Sequence, residues 1–244
     1  MPDTSWSFES LLSPDGLPSS VKVLLLLSLL SLVPSLLLMT TCYVRIAVVL
    51  GLLRQALGTQ QFLPNQVTTG LSLLLTLTVM WPVWSEAYEQ GIVPYSDSTF
   101  ASEAEQAAGL EQAVADTLRP LRRFMSRQIE ATGNEAAIDM LLQYQSRGES
   151  TAAEFPEYYE DVPLSVLLPA YVLSELKTAF LIGFQIYLPF VVIDLVVAAL
   201  LSGMGLMMMP PGLVSLPLKL LMFVMVDGWF LVVQTLLMSV GAPG

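Results

Sequence analysis

Three observations predict an all-α, membrane-associated fold of kinked helical hairpins around a central acidic helical insert. The chain of 244 residues is 54% hydrophobic and only 13% charged, about half the roughly 25% charge of an ordinary soluble domain. Its apolar residues are gathered into runs long enough to cross a bilayer, about 20 residues each. Its acids are gathered into one block: residues 1–85 carry no net charge, 86–161 carry −10 and 162–244 carry −1. The resulting organisation is an N-terminal segment (1–20), a first hydrophobic helical hairpin (21–85), an acidic, mainly helical insert (86–161) and a second hydrophobic hairpin region with a Met-rich connector (162–244).

The composition also narrows the chemistry. Histidine is absent and Cys42 is the single cysteine, which removes His-based triads, His/Cys zinc sites and internal disulfides. The acidic block repels nucleic-acid phosphates, so nucleic acid is not an expected partner. The scattered glycines match neither a phosphate loop nor a dinucleotide fingerprint, and no cofactor is expected. Fifteen acids in the insert give so many accidental spacings that no catalytic carboxylate pair stands out.

Taken in order, Asp3, Glu9 and Asp15 precede the first apolar run, where a cleavable signal peptide carries bases, so the N-terminus is expected to be retained. Residues 23–44 are uncharged, and residues 67–83 form a second apolar run ending at Trp81, Pro82 and Trp84, aromatics suited to a membrane interface. Arg45 and Arg54 lie in the link between these runs. By the positive-inside tendency that link faces the cytoplasm, and the acidic insert faces outward, which in a bacterial cell is the periplasm. Within the insert, Leu110, Val114, Leu118, Leu121, Met125 and Ile129 recur every three or four residues, the pattern of one buried helix face. Pro120 is expected to start a new helix or bend this one. Gly133 and Asn134 suit a C-cap and an N-cap, the second for a helix carrying Ile138, Leu141 and Leu142. The acidic run 149–161 reads as a solvated linker. The third apolar stretch, residues 162–201, contains Pro163, Pro169 and Pro189, expected to start or bend its helices. The connector GMGLMMMPPG then breaks the chain, and a fourth apolar run covers residues 213–240.

Two constellations in the C-terminal region stand out. Glu175, Lys177, Asp194, Lys219 and Asp227 are charges in apolar surroundings, each costing on the order of 2.5 to 3.5 kcal/mol to insert unless compensated. Glu175 or Asp194 with Lys219, and Asp227 with Lys177, are the natural pairs, within the chain or across a subunit boundary. An ion pair that fixes helix register is the plain reading; a proton relay is the sharper one. Met204, Met207, Met208 and Met209 crowd the connector. Flexible, polarizable thioethers suit a deformable seal, although ordinary packing near Met222 and Met225 accounts for the same composition.

LLLMTTCYVRIAVVLGLLRQALGTQQ (36–61), PNQVTTGLSLLLTLTVMWP (64–82), RPLRRFMSRQ (119–128), LPAYVLSELKTAF (168–180), LPFVVIDLVVAALL (188–201) and MMMPPGLVSLPLKLLMFVMVDGW (207–229) together resemble the FliP family of flagellar type III export-gate proteins. The injectisome SctR proteins are close relatives. The similarity runs through nearly the whole chain beyond residue 20. It implies a non-enzymatic pore subunit that assembles in several copies with FliQ and FliR into a helical ring, joined by FlhB and fed by FlhA. Through that ring unfolded flagellar proteins leave the cytoplasm across the bacterial inner membrane at the flagellar basal body. It further implies hydrophobic helices bent into hairpins, packed against other subunits and lifted largely out of the bilayer plane. The family closes its resting pore with a methionine-rich loop before a Pro-Pro pair. Aligned on Pro210 and Pro211, Met207 and Met208 are the firmer gasket residues, with Leu206 and Met209 beside them. Glu175 and Lys219 become candidates for an inter-subunit ion pair. The rivals are an injectisome subunit, a proton-coupled transporter using Asp194, Asp227 and Lys219 as a relay, and a purely structural scaffold.

Overall fold

The structure is a computed structural model that describes residues 19–58, 64–100, 102–146, 162–206 and 208–241. Every regular element among them is helical. The expected linker 149–161, most of the N-terminal segment and Met207 lie outside the described residues. The chain divides into two compact units, Met1–Leu38 and Met39–Gly244.

The described part of the first unit belongs to helix α1 (Ser19–Met39), whose composition is apolar all round apart from serines and one lysine. Ser31 satisfies its hydroxyl by donating to the Ser28 carbonyl at 2.7 Å, as a polar side chain in apolar surroundings must. Val23, Leu24, Leu27, Leu30 and Leu36 are all exposed, so α1 carries apolar surface that water alone does not favour.

In the second unit the stretch after α1 is a helix rather than a simple loop: α2 (Tyr43–Ala56). Cys42, Ile46, Val49, Leu50, Leu53, Ala56 and Leu57 are buried at spacings of one, three and four, which makes α2 the central strut of the main core. Around it pack α3 (Asn65–Ala87), α7 (Leu164–Gly203), α8 (Pro211–Met225) and α9 (Gly228–Val240), contributing Met80, Ile182, Phe190, Phe223 and Leu236.

Helix α3 continues through a π-helical turn (Tyr88–Ile92) into the short α4 (Val93–Asp97). Pro94 has no N–H to offer the Gln90 carbonyl, and the run widens immediately before it. Helix α5 (Glu103–Ala131) starts at Ser102, whose hydroxyl accepts the Glu105 N–H at 3.3 Å, a Ser-x-x-Glu spacing typical of helix starts. It passes through Pro120 without a break. The expected single buried face is split. Leu121, Met125 and Ile129 are buried, but Leu110 and Val114 are each 51% exposed. The reason is that the first half of α5 meets the π turn through a different face, that of Ala113 and Thr117.

Gly133 adopts φ 64°, and the N–H groups of Gly133 and Asn134 reach back to Glu130 and Ile129 at 3.0 and 3.1 Å, closing α5 as a left-handed glycine cap does. Helix α6 (Ala136–Ser146) follows. The Asn134 side chain points toward α7 instead, where its amide donates to Ser174 at 2.8 Å, and it also donates to Thr132 at 2.9 Å. A second core joins this corner to α7 through Met125, Ile129, Ile138, Val166, Leu167 and Tyr171.

Pro163 starts α7, while Pro169 and Pro189 lie inside its 40 residues, about 60 Å of helix. The fourth apolar run is not continuous. It breaks between α8 and α9 with a 65° bend, where Asp227 takes φ 52°, a conformation uncommon outside glycine. Two helices among the described residues are long and apolar enough to cross a membrane, Asn65–Asp97 and Leu164–Gly203, and the bent α8–α9 pair qualifies if counted as one span.

Candidate functional site

The methionine connector joins α7 to α8, two helices of the main core. Helix α7 ends at Met204, Gly205 turns at φ 77°, and the Met209 N–H closes a turn onto the Leu206 carbonyl at 3.2 Å. Pro210 and Pro211 then start α8, prolines at a helix start forfeiting no internal hydrogen bond. The connector is thus a short turn between two helix ends at the tip of the α7–α8 hairpin. Accordingly Met204, Leu206, Met208 and Met209 are exposed, while Met222 packs at the edge of the main core. Within the chain, the connector methionines are therefore not core filler; Met207 lies outside the described residues.

About two to three turns back from the connector, a polar clamp ties the hairpin together. Asp194 of α7 accepts Ser215 Oγ at 2.5 Å and Lys219 Nζ at 2.6 Å, and Lys219 also donates to the Ala56 carbonyl at 2.9 Å. Ser215 and Lys219 are four apart, so both project from one face of α8. The ammonium also supplies positive charge at the carbonyl end of α2, where the helix dipole favours it. Three elements thus meet at one ion pair, and the connector projects beyond it.

A second polar node lies deeper. Arg45 and Glu175 are fully buried and form a two-pronged ion pair: Nε donates to Oε2 at 3.0 Å, and Nη2 donates to Oε1. Nη2 also donates to Gln128 Oε1 at 3.2 Å, and Nη1 donates to the Ser239 carbonyl at 2.5 Å and to Ser239 Oγ at 3.4 Å. Gln128 in turn donates to the Val240 carbonyl. The rigid fork of arginine can serve a carboxylate and two further acceptors at once, and it joins α2, α5, α7 and the last turn of α9.

Of the five charges singled out from the sequence, Asp194 and Lys219 meet within the chain. Glu175 does not face Lys219 here, because Arg45 already occupies its carboxylate. Lys177 donates to Asn134 Oδ1 rather than to Asp227, and Asp227 sits at the α8–α9 break. Sequence reasoning treated Arg45 as a loop charge that orients the link. That premise fails, since Arg45 stands inside α2 with no exposure. A signal existed: Arg45 lies one residue from Ile46 in an apolar run of helical period, the same setting that drew attention to the C-terminal charges.

The sequence model of the FliP family matches residues 26–236. The chain belongs to the FliP family. It is 40% identical to the flagellar biosynthetic protein FliP of Bacillus subtilis over 93% of this chain and 94% of that protein. It is 46% identical to the Pectobacterium carotovorum FliP over 90% of this chain and 78% of the relative, and 44% identical to that of Caulobacter vibrioides over 90% and 76%. The family model spans the connector, the Asp194–Lys219 clamp and the Arg45–Glu175 pair, and ends just before Ser239 and Val240 of the deeper node.

Proposed function

We propose that this chain is a pore-forming subunit of the bacterial flagellar type III export gate, passing unfolded flagellar proteins out of the cytoplasm without catalytic chemistry of its own. The observation that carries this reading is the exposed thioether connector at the tip of a hairpin held rigid by the Asp194–Lys219 clamp, in a chain of the FliP family. Such a tip presents a flexible apolar collar when several copies gather about one axis. Methionines can close that collar against ions and still yield to an extended polypeptide. Leu206, Met207, Met208 and Met209 form the gasket.

The surroundings support assembly with other subunits. Phe180, Phe184, Leu188, Leu195 and Leu200 of α7, with Leu213 and Val224 of α8, are large apolar side chains left exposed, the kind of surface that subunit or lipid contacts cover. FliQ, FliR and further copies of this chain would cover it, with FlhB and FlhA as neighbours in the apparatus. The site of action is the inner membrane at the flagellar basal body, with residues 86–161 on the periplasmic side, an orientation that, with Arg45 buried, rests on Arg54 in the last turn of α2. The relatives' flagellar names favour a flagellar gate over an injectisome. The pairing of Asp194 with Lys219 inside one chain favours an ion pair that fixes helix register over a proton relay.

The test is ion flux through the assembled particle in liposomes. Met207→Ala with Met208→Ala should leave assembly intact and make the resting gate leak; an ion-tight double variant would remove the gasket from this connector.

A further inference from the structure

We infer that the connector is a reversible methionine-oxidation site through which peroxide-class oxidants loosen the closed gate, an inference that rests on the pore reading above. Met39, Met140, Met225 and Met238 are exposed one at a time along the chain, whereas the connector gathers several exposed methionines together. Met208 is 101% exposed, Met204 64% and Met209 48%, whereas Met80 and Met125 are at 0% and 1% within the two cores. Sulfur oxidation requires the oxidant to reach a thioether lone pair, so accessibility governs which methionine reacts. The connector offers that access by construction. Its ends are set by Met204 capping α7 and by Pro210 starting α8, and Met208 stands fully open between them.

In the reaction with hydrogen peroxide, the sulfur lone pair attacks one peroxide oxygen and an S–O bond forms. The O–O bond breaks, and the departing oxygen leaves as water after proton transfer. Methionine is oxidised by two electrons and peroxide is reduced. The product sulfoxide is a polar hydrogen-bond acceptor where the collar needs an apolar, pliable surface, and methionine sulfoxide reductases reverse it. Several adjacent thioethers in each copy multiply the effect around a shared axis, because each sulfoxide brings water to the same constriction.

The test has two readouts on the full chain. Peptide mass mapping during exposure to hydrogen peroxide should show the connector gaining oxygen about tenfold faster than Met80 and Met125. In liposomes, peroxide should raise ion leak through the assembled wild-type particle, and treatment with methionine sulfoxide reductase and a thiol should lower it again. Met208→Leu with Met209→Leu should reduce the ratio of leak after peroxide to leak before it. Oxidation of the connector no faster than that of Met80 and Met125 would overturn the inference, as would an oxidised particle that stays tight. The pore reading is judged separately, by the alanine variant, which needs no oxidant.

Discussion

At Arg45 a single side chain satisfies the Glu175 carboxylate, the Gln128 amide oxygen and the Ser239 carbonyl in one buried place. Replacing it with Met roughly keeps the volume and leaves the buried Glu175 carboxyl without its partner. The expected loss is about 3–5 kcal/mol, read as a lower midpoint of thermal unfolding in detergent. Arg45→Met combined with Glu175→Met should recover much of that loss, since two apolar residues need no partner. Wild-type stability of the single variant would show that the node carries no weight. The sequence marked Glu175 as needing compensation, because any isolated charge there does. It could not name the partner, because 130 residues separate the two and only the packing of α2 on α7 brings them together.

Among the elements, the meeting of the π turn with α5 leaves no room for a side chain at Gly91. A Cβ on Gly91 would stand 2.7 Å from the Thr117 backbone nitrogen and 2.8 Å from the Ala113 carbonyl. Those are backbone atoms that cannot rotate away. Gly91→Ala should therefore push α5 off the turn at a cost of about 1–3 kcal/mol. Faster amide exchange in the Tyr88–Ile92 turn and the first half of α5 is the expected signature, and unchanged protection would contradict the close approach. The helical period of α5 was plain in the sequence. Its division into a docked half and an exposed half was not, because periodicity records which residues share a face and not how far the neighbouring helix extends. The break at Asp227 was missed for a different reason: sequence reasoning treats the Asp-Gly pair there as a charge needing a partner, and not as the turn signal that its left-handed backbone makes it.

For the molecule as a whole, the placement of Glu175 alters what a variant should do. A carboxylate engaged by Arg45 inside its own chain supports the protomer before it supports any ring. Glu175→Ala should lower the recovery of folded protomer and of the assembled particle in the same proportion, measured by size-exclusion chromatography after expression with and without FliQ and FliR. Loss confined to the particle would instead place the partner on a neighbouring subunit. The apolar faces of α7 and α8 stay exposed in the single chain, so their burial belongs to assembly or lipid, not to the fold of one copy.

Composition, hydropathy and motif order by themselves determined the helical class, the long apolar segments, the acidic insert and the family, because each depends on the chemistry of neighbouring residues along the chain. The corner at Gly133 was legible for the same reason. Only the tertiary structure decided that Arg45 is a buried partner, that Asp194 rather than Glu175 holds Lys219, and that the connector methionines stand clear of the core. Those outcomes turn on which helices lie side by side, and the Coulomb and packing terms that choose among partners act across space between residues the sequence holds far apart.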